Sequence, residues 1–131
     1  MILHAGDFVE TGIFTELSTF GPLEAVHGNM DDGELQRRLP RRRVVEAGEA
    51  RIGMTHDPGQ AQGRSKRLVS WFAGCDAVVY GHTHQPEVTR HGDVWILNPG
   101  SPTERRRAPI HTMLLLEVAG KAISPELVAL T

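Results

Sequence analysis

The sequence predicts an α/β domain, with helices between strands in the first half of the chain and β-hairpins in the second half. The first observation behind this prediction is the apolar run Val78-Val79-Tyr80, which ends at Gly81. A short run of β-branched and aromatic residues bounded by turn formers is typical of a strand covered on both faces of its sheet. The second observation is that Gly81 leads into a histidine-rich turn, and ligands of α/β sheets bind beyond the carboxyl ends of strands.

Length and composition indicate one domain with a real core. The chain has 131 residues, of which 40% are hydrophobic, and 14 Lys and Arg stand against 16 Asp and Glu. A formal charge of −2 gives no global sign of a protein that binds nucleic acid or anionic membranes. Cys75 is the single cysteine, which fits a reducing compartment, and the sequence shows neither a leader peptide nor a long apolar segment. We therefore expect a cytoplasmic protein with no membrane partner.

The elements before residue 60 follow from apolar spacing and from glycine and proline breaks. Apolar residues at helical spacing over residues 13–20 predict a helix that ends at Gly21-Pro22. The predicted elements that follow are a strand over residues 23–27, a short helix that ends at Pro40, and a hairpin around Gly48-Glu49.

The second half of the chain contains one more helix and two more hairpins. Leu68, Val69 and Phe72 share a helical face, and Gly74 is a C-cap signal. The strand over residues 78–80 follows. His91-Gly92-Asp93 and Gly120-Lys121 then mark the turns of two hairpins, the last of which joins residues 110–118 to residues 122–128.

Four predicted strand ends carry side chains that could bind a metal. These residues are Asp7 after Gly6, Asn29 after Gly28, His56 after Thr55, and His82 with His84 after Gly81. A set of one carboxylate, one amide oxygen and three imidazoles suits a borderline divalent cation, and the lack of paired cysteines argues against a structural zinc site. In extended backbone His82 and His84 project to the same side, so both could reach one site. Each residue alone also has a simpler interpretation as a cap, turn or solvated loop residue.

The order of these motifs resembles the calcineurin-like metallophosphoesterase superfamily, and most closely its small bacterial and archaeal phosphodiesterase branch. The resemblance covers nearly the whole chain and includes the motifs Gly6-Asp7, Gly28-Asn29-Met30-Asp31, Thr55-His56-Asp57, Gly81-His82-Thr83-His84 and Asn98-Pro99-Gly100-Ser101-Pro102. It implies a fold of two facing β sheets flanked by helices. It also implies that Asp7 bridges two metals, that Asn29, His56 and His82 complete the protein ligands of one metal, and that His84 binds the other.

The resemblance implies a metal-dependent phosphodiesterase in which a metal-bound hydroxide at Asp7 attacks the phosphoester. Two metals about 3.5–4 Å apart can lower the pKa of a bridging water and neutralise charge on the phosphoryl oxygens. We expect Mn²⁺ first, with Fe²⁺, Zn²⁺, Ni²⁺ or Mg²⁺ as alternatives, and a phosphodiester as substrate.

This sequence departs from the family pattern in two places. The family's first motif, an Asp-x-His at the end of an N-terminal strand, does not occur before Asp7, so the second metal keeps only Asp7 and His84. We therefore expect residues 1–131 to form a single, N-terminally truncated domain that lacks its first strand. We also expect weak activity or none, and either poor stability or association into homo-oligomers through the open sheet. Met30 stands where many members have a histidine, and a thioether cannot transfer protons.

Two alternatives remain open. One is a non-catalytic scaffold or binding module similar to the retromer small subunit, and the other is a fragment of a longer active enzyme. Arg105-Arg106-Arg107 could bind a phosphate but reads more readily as a solvated loop. The runs at residues 37–38 and 41–43 read as a charged surface rather than a specific nucleic-acid patch. The histidines outside the motifs are interpreted as structural or exposed: His4, His27, His91 and His111.

Overall fold

The structure is a computed structural model that describes residues 1–6, 19, 21–28, 33–100 and 111–130. Within these residues it contains nine strands and two helices. The strands are β1 (Ile2–His4), β2 (Leu23–Ala25), β3 (Arg42–Ala47), β4 (Ala50–Thr55), β5 (Ala77–Tyr80), β6 (Glu87–His91), β7 (Val94–Asn98), β8 (His111–Ala119) and β9 (Ala122–Leu130). The helices are α1 (Gly33–Arg38) and α2 (Arg64–Trp71).

A five-stranded mixed sheet with the strand order β3-β4-β5-β7-β6 forms the centre. β5 pairs in parallel with β4 on one side and with β7 on the other. β3 and β6 are the outer strands, and each pairs antiparallel with the strand to which a hairpin joins it. In the described part of the chain the remaining strands form two smaller sheets, the parallel pair β1-β2 and the antiparallel pair β8-β9.

Both faces of β5 are buried, as its apolar sequence predicts. Ala77 and Val79 point to a cluster that also contains Leu97 of β7 and Ile123 of β9. Residues of β1 and β8 pack against the same cluster, so the small sheets cover this face. On the opposite face Val78 and Tyr80 belong to a second cluster with Leu68, Phe72, Cys75 and Ile96, which α2 covers. The predicted class, an α/β fold with facing β layers and flanking helices, is confirmed.

Most of the described elements match their predictions in type and place. The hairpin turns at Gly48-Glu49, Gly92-Asp93 and Gly120-Lys121 all form, each with a glycine at positive φ. β2 ends at Ala25, two residues before the predicted end. The predicted helix over residues 13–20 falls almost wholly on residues that lie outside the described part.

Helix α2 ends at Trp71, before the C-cap that the sequence predicts at Gly74. Its C-cap is Phe72, whose φ of −119° leaves the helical range while its N–H still donates to the carbonyl of Leu68. Gly74 follows at φ 85°, so the glycine completes the turn after the helix rather than capping it. The early end directs the Phe72 ring into the core between α2 and the central sheet.

The arginine runs at residues 37–38 and 41–43 lie on the surface, as expected, whereas the run at residues 105–107 lies outside the described residues. Arg38 pairs with Glu34 at 3.6 Å between its Nη1 and a carboxylate oxygen, and Arg43 pairs with Glu24 at 2.7 Å. The guanidinium of Arg42 stacks over the Trp71 ring, 3.6 Å from its centroid, a cation–π geometry that ties β3 to α2. No helix in the described residues is long and apolar enough to cross a membrane.

Gly53 lies in the middle of β4 because the Phe72 ring occupies the space a side chain would need. A Cβ at Gly53 would lie 2.5 Å from two carbons of that ring. We expect Gly53→Ala to lower the free energy of unfolding by about 1–3 kcal/mol, the usual penalty for overpacking a core. Urea unfolding measures the loss.

The matched test repeats Gly53→Ala in a Phe72→Leu background. The smaller Leu side chain relieves the overlap, so the alanine should lower the free energy of unfolding less there than in the wild-type background. Equal losses in the two backgrounds would show that the Phe72 ring is not the reason for the glycine.

Candidate functional site

The parallel pairings bring three strand ends to one edge of the central sheet. Thr55 at the end of β4 lies opposite Tyr80 at the end of β5, and Val79 lies opposite Leu97 of β7. The next residues along these strands, which include His56 and Asn98, therefore lie side by side with the Gly81 turn. This is the edge at which ligands of α/β sheets bind.

His56 is held in one orientation by the backbone of a neighbouring strand end. The residue is 4% exposed, and its Nδ1 lies 2.8 Å from the carbonyl oxygen of Ala5, just after β1. Because a carbonyl oxygen only accepts, Nδ1 carries the proton and the neutral ring has its lone pair on Nε2. A histidine whose second ring nitrogen donates to a backbone carbonyl is the usual arrangement of a metal ligand.

Glycines make room for this ring. A Cβ at Gly6 would lie 2.9 Å from His56 Nδ1 and 2.7 Å from the backbone nitrogen of Gly28, and a Cβ at Gly81 would lie 3.2 Å from the same Nδ1. Gly6 also has a φ of 100°, and its N–H donates to Nδ1 of His4 at 3.1 Å. The chain segments around residues 6, 28, 56 and 81 therefore converge.

The expectation of extended backbone at the histidine turn is wrong. His82 has a φ of 70° and His84 a φ of 59°, so both lie in the left-handed region. The N–H of Thr83 donates to the carbonyl of Gly81 at 2.8 Å, which closes a three-residue turn centred on His82. Such a turn is rare and strained, and left-handed backbone at His82 and at His84 costs about 1–3 kcal/mol each.

The turn brings His82 to His56 without extended backbone. The two rings meet edge to face, with centroids 5.3 Å apart and an interplanar angle of 84°. His84 follows at 8% exposure. Two of the predicted ligands are thus in contact and a third is buried two residues farther on.

The complete ligand set stays a prediction. Asp7 and Asn29 lie outside the described residues, although each follows directly on a glycine of the converging backbone. Among the described residues, no group of three or more histidine, cysteine, aspartate or glutamate side chains is close enough to hold a metal ion. The oxygen ligands of the predicted set would have to come from Asp7 and Asn29.

Sequence reasoning did not single out Arg67, which fixes the loop after His56. Its guanidinium donates to the carbonyl of Pro58 through Nε at 3.0 Å and through Nη2 at 2.7 Å, to that of Gln62 at 3.2 Å, and also to that of Gln60. One side chain of α2 thereby satisfies three loop carbonyls. Arginine in a helix has no sequence signal for this role, because the loop conformation decides it.

Asn98 begins a motif that carries the family resemblance, but no role was predicted for its side chain. It ends β7, is fully buried, and donates through Nδ2 to the histidine turn. Its signal in the sequence is an asparagine directly before Pro99-Gly100, at the end of an apolar run. That pattern indicates a turn but does not reveal what the side chain contacts.

Tyr80 and Glu87 form a polar contact just beside the turn. The Tyr80 hydroxyl donates to the Glu87 carboxylate, which also accepts from Thr89 at 2.7 Å. Burial, with the Glu87 hydrogen bond and charge as further causes, raises the pKa of Tyr80 to about 12. Burial likewise raises the pKa of the Cys75 thiol, which fits a packing role for that side chain.

A cleft of about 390 Å³ opens next to this contact, between the start of α2 and β6. Its lining consists of Ala61, Gly63, Arg64, Ser65, Lys66, Glu87 and His91. None of these residues is a predicted ligand, so the cleft is distinct from the place where His56 and His82 meet.

Comparison with known proteins places the chain in a family. The model of the calcineurin-like phosphoesterase superfamily domain matches residues 1–121. A probable metallophosphoesterase of Methanothermobacter thermautotrophicus is 36% identical over 130 residues, and the match covers 98% of this chain and 74% of that protein. A probable metallophosphoesterase of Methanocaldococcus jannaschii is also 36% identical, over 124 residues. That match covers 92% of this chain and 62% of the relative, so the chain spans less than two thirds of the second protein.

A solved structure has the same fold. Wild-type Vps29 of Entamoeba histolytica, crystallised with Zn²⁺, matches with a TM-score of 0.75 over 97% of this chain and 80% of that one. At 23% identity the likeness shows the fold alone. The family model and the archaeal relatives go further, and the chain belongs to the calcineurin-like phosphoesterase superfamily.

Proposed function

We propose that the protein is a metal-dependent phosphodiesterase. Its metals bind at the edge of the central sheet where His56, His82 and His84 lie, which we call the histidine edge. The observation that carries the proposal is the convergence of His56 and His82 with the backbone of Gly6 and Gly28. Those glycines directly precede Asp7 and Asn29, the two proposed oxygen ligands. In this proposal one cation is held by Asp7, Asn29, His56 and His82, and a second by Asp7 and His84.

The donor set fits a borderline divalent cation. Imidazole nitrogens combined with carboxylate and amide oxygens suit Mn²⁺, Fe²⁺, Zn²⁺ or Ni²⁺, and we propose Mn²⁺ as the metal. The orientation of His56 supports this, because its hydrogen bond to Ala5 directs the lone pair of Nε2 away from that carbonyl. Low solvent exposure of His56 and His84 further favours a role as metal ligands over a role as solvated loop residues.

Bound divalent cations would supply Lewis acidity, which lowers the pKa of water and offsets charge on the phosphoryl oxygens of a phosphodiester. The protein's own contribution is position. The carbonyl of Ala5 fixes the ring of His56, and the strained turn fixes the backbone of His82 and His84. Side chains held in this way lose little further freedom on binding, which favours affinity.

A scaffold or binding module on the same fold is the competing proposal. The arrangement of the histidine edge favours the enzyme, because a scaffold has no need for imidazoles on strained, buried backbone. Measurements of metal binding and of activity separate the two.

The first prediction concerns metal affinity. His82→Ala should lower the affinity for Mn²⁺ by more than the roughly 10–100-fold that changes around a metal site cause, because it removes a ligand itself. Isothermal titration calorimetry measures it, with His91→Ala as the control, since His91 is exposed at a hairpin turn. Equal affinity of the wild type and His82→Ala would rule out the assignment.

The second prediction concerns catalysis. The chain should hydrolyse a chromogenic phosphodiester slowly with Mn²⁺ and not at all after chelation. His84→Ala should lower kcat/KM by about a thousandfold, which corresponds to about 4 kcal/mol of transition-state stabilisation. A wild-type chain that binds Mn²⁺ but has no turnover, or an unchanged rate in His84→Ala, would favour the scaffold.

The third prediction uses the crowding at Gly6. Gly6→Ala should weaken Mn²⁺ binding and lower the Tm, because the new Cβ overlaps Gly28 and presses on the His56 ring. Gly21→Ala is the matched control, since Gly21 also has a positive φ, of 148°, but a Cβ there would have no atom within 4 Å. If both variants bind Mn²⁺ equally well, the space at Gly6 does not serve the site.

A further inference from the structure

We propose that Asn98 is a positioning residue, which holds the turn of His82 and His84 in the conformation that presents the two imidazoles. This inference rests on the proposed function, because it assigns the turn to a metal site. Asn98 acts on the histidines indirectly, through the backbone of the turn and through Thr83.

The turn needs support from outside itself. His82 and His84 both have positive φ, which side chains other than glycine rarely adopt. Such backbone persists only where the surroundings fix it, and strained residues of this kind cluster at functional sites. The bond from the N–H of Thr83 to the carbonyl of Gly81 lies within the turn and does not connect it to the neighbouring strands.

Asn98 supplies that support from the neighbouring strand. Its Nδ2 donates to Oγ1 of Thr83 at 3.0 Å and lies 3.4 Å from the carbonyl oxygen of Gly81. The same carbonyl accepts the bond that closes the turn, and the same hydroxyl accepts from the N–H of Gln85 at 3.2 Å. One amide group therefore contacts the turn before His82 and again between the two histidines.

The orientation of the Asn98 amide is fixed chemically. The N–H of Gly100 lies 2.9 Å from Oδ1, and since a backbone N–H can only donate, this atom must be the oxygen. The NH₂ group then faces Gly81 and Thr83. Both ends of the side chain are in use, which is the condition for a buried amide to be stable.

Asn98 is itself anchored in the central sheet. It is fully buried at the end of β7, and the turn after it is locked by Thr112, whose Oγ1 donates to the carbonyl of Pro99 at 2.8 Å. Gly100 allows this contact, since a Cβ there would lie 2.0 Å from the Thr112 hydroxyl. Asn98 thus connects the histidine turn to the central sheet, and Thr112 connects the turn after Asn98 to β8.

Thr112 also offers the matched control. Thr112→Val keeps the shape of the side chain and removes one hydrogen bond from the same turn, but it leaves the contacts of Asn98 with Gly81 and Thr83 in place. A purely structural role for Asn98 predicts that Asn98→Leu and Thr112→Val behave alike. A positioning role predicts that only Asn98→Leu affects the histidines.

The experiment measures Mn²⁺ affinity by calorimetry well below the Tm of each variant. We expect Asn98→Leu to lose about 10–100-fold in affinity, the range for groups that orient metal ligands. Thr112→Val should lower the Tm but stay within about twofold of the wild-type affinity. Asn98→Leu within about twofold of the wild type, or an equal loss in Thr112→Val, would overturn the inference.

A second pair of variants keeps the test decisive if Asn98→Leu does not fold. Thr83→Val removes the oxygen that accepts from Asn98 and from the N–H of Gln85, whereas Thr83→Ser retains it. We expect Thr83→Val to lose affinity for Mn²⁺ and Thr83→Ser to remain close to the wild type. Equal affinities in the two variants would contradict the role of this hydrogen bond.

Hydrogen exchange separates this inference from the proposed function. Without any metal, the amides of Thr83 and Gln85 should exchange faster in Asn98→Leu than in the wild type, and the amide of Thr83 should also exchange faster in Thr83→Val. Neither amide should exchange faster in Thr112→Val. If the wild type binds no Mn²⁺, the proposed function fails, and this exchange pattern still decides whether Asn98 holds the turn. Unchanged exchange in Asn98→Leu would show that it does not.

Discussion

The parallel pairing of β5 between β4 and β7 is the constraint on which the rest of the molecule depends. Because the three strands run in the same direction, their carboxyl ends meet at one edge, and residues far apart in sequence become neighbours. The pairing is stable because both faces of β5 are covered. Burying each of its valine side chains contributes about 1.5–3 kcal/mol. The histidine edge is therefore a consequence of how the core is buried.

The rigid sheet also explains how the edge tolerates strain. Left-handed backbone at His82 and His84 opposes folding, and packing elsewhere has to offset it. The central sheet provides this through two buried clusters, one on each face, and the loops beyond it are held by side chains of α2 and β7. Arg67 binds the loop after His56, and Asn98 binds the turn after β5. The geometry of the histidine edge thus depends on Arg67 and Asn98, which are not themselves predicted metal ligands.

Membership of the calcineurin-like phosphoesterase superfamily fits this separation between strand-end side chains and the residues that support them. The chemistry would be concentrated in a few strand-end side chains, while the sheet and its supports fix their geometry. A shared fold does not determine activity. Catalysis by this chain therefore depends on the metal ligands at the histidine edge.

The sequence by itself determined the elements and the family. Apolar runs, glycine turns and the order of the motifs were sufficient for the hairpins, for β5 and for α2, because these depend on local propensity and on burial patterns. It also identified His56, His82 and His84 as strand-end residues. Only the tertiary structure decided that His82 and His84 lie on left-handed backbone, and that Ala5, Arg67 and Asn98 hydrogen-bond to His56, to the loop after it and to the turn after β5. These features rest on contacts between residues distant in the chain, and such contacts have no local signature in the sequence.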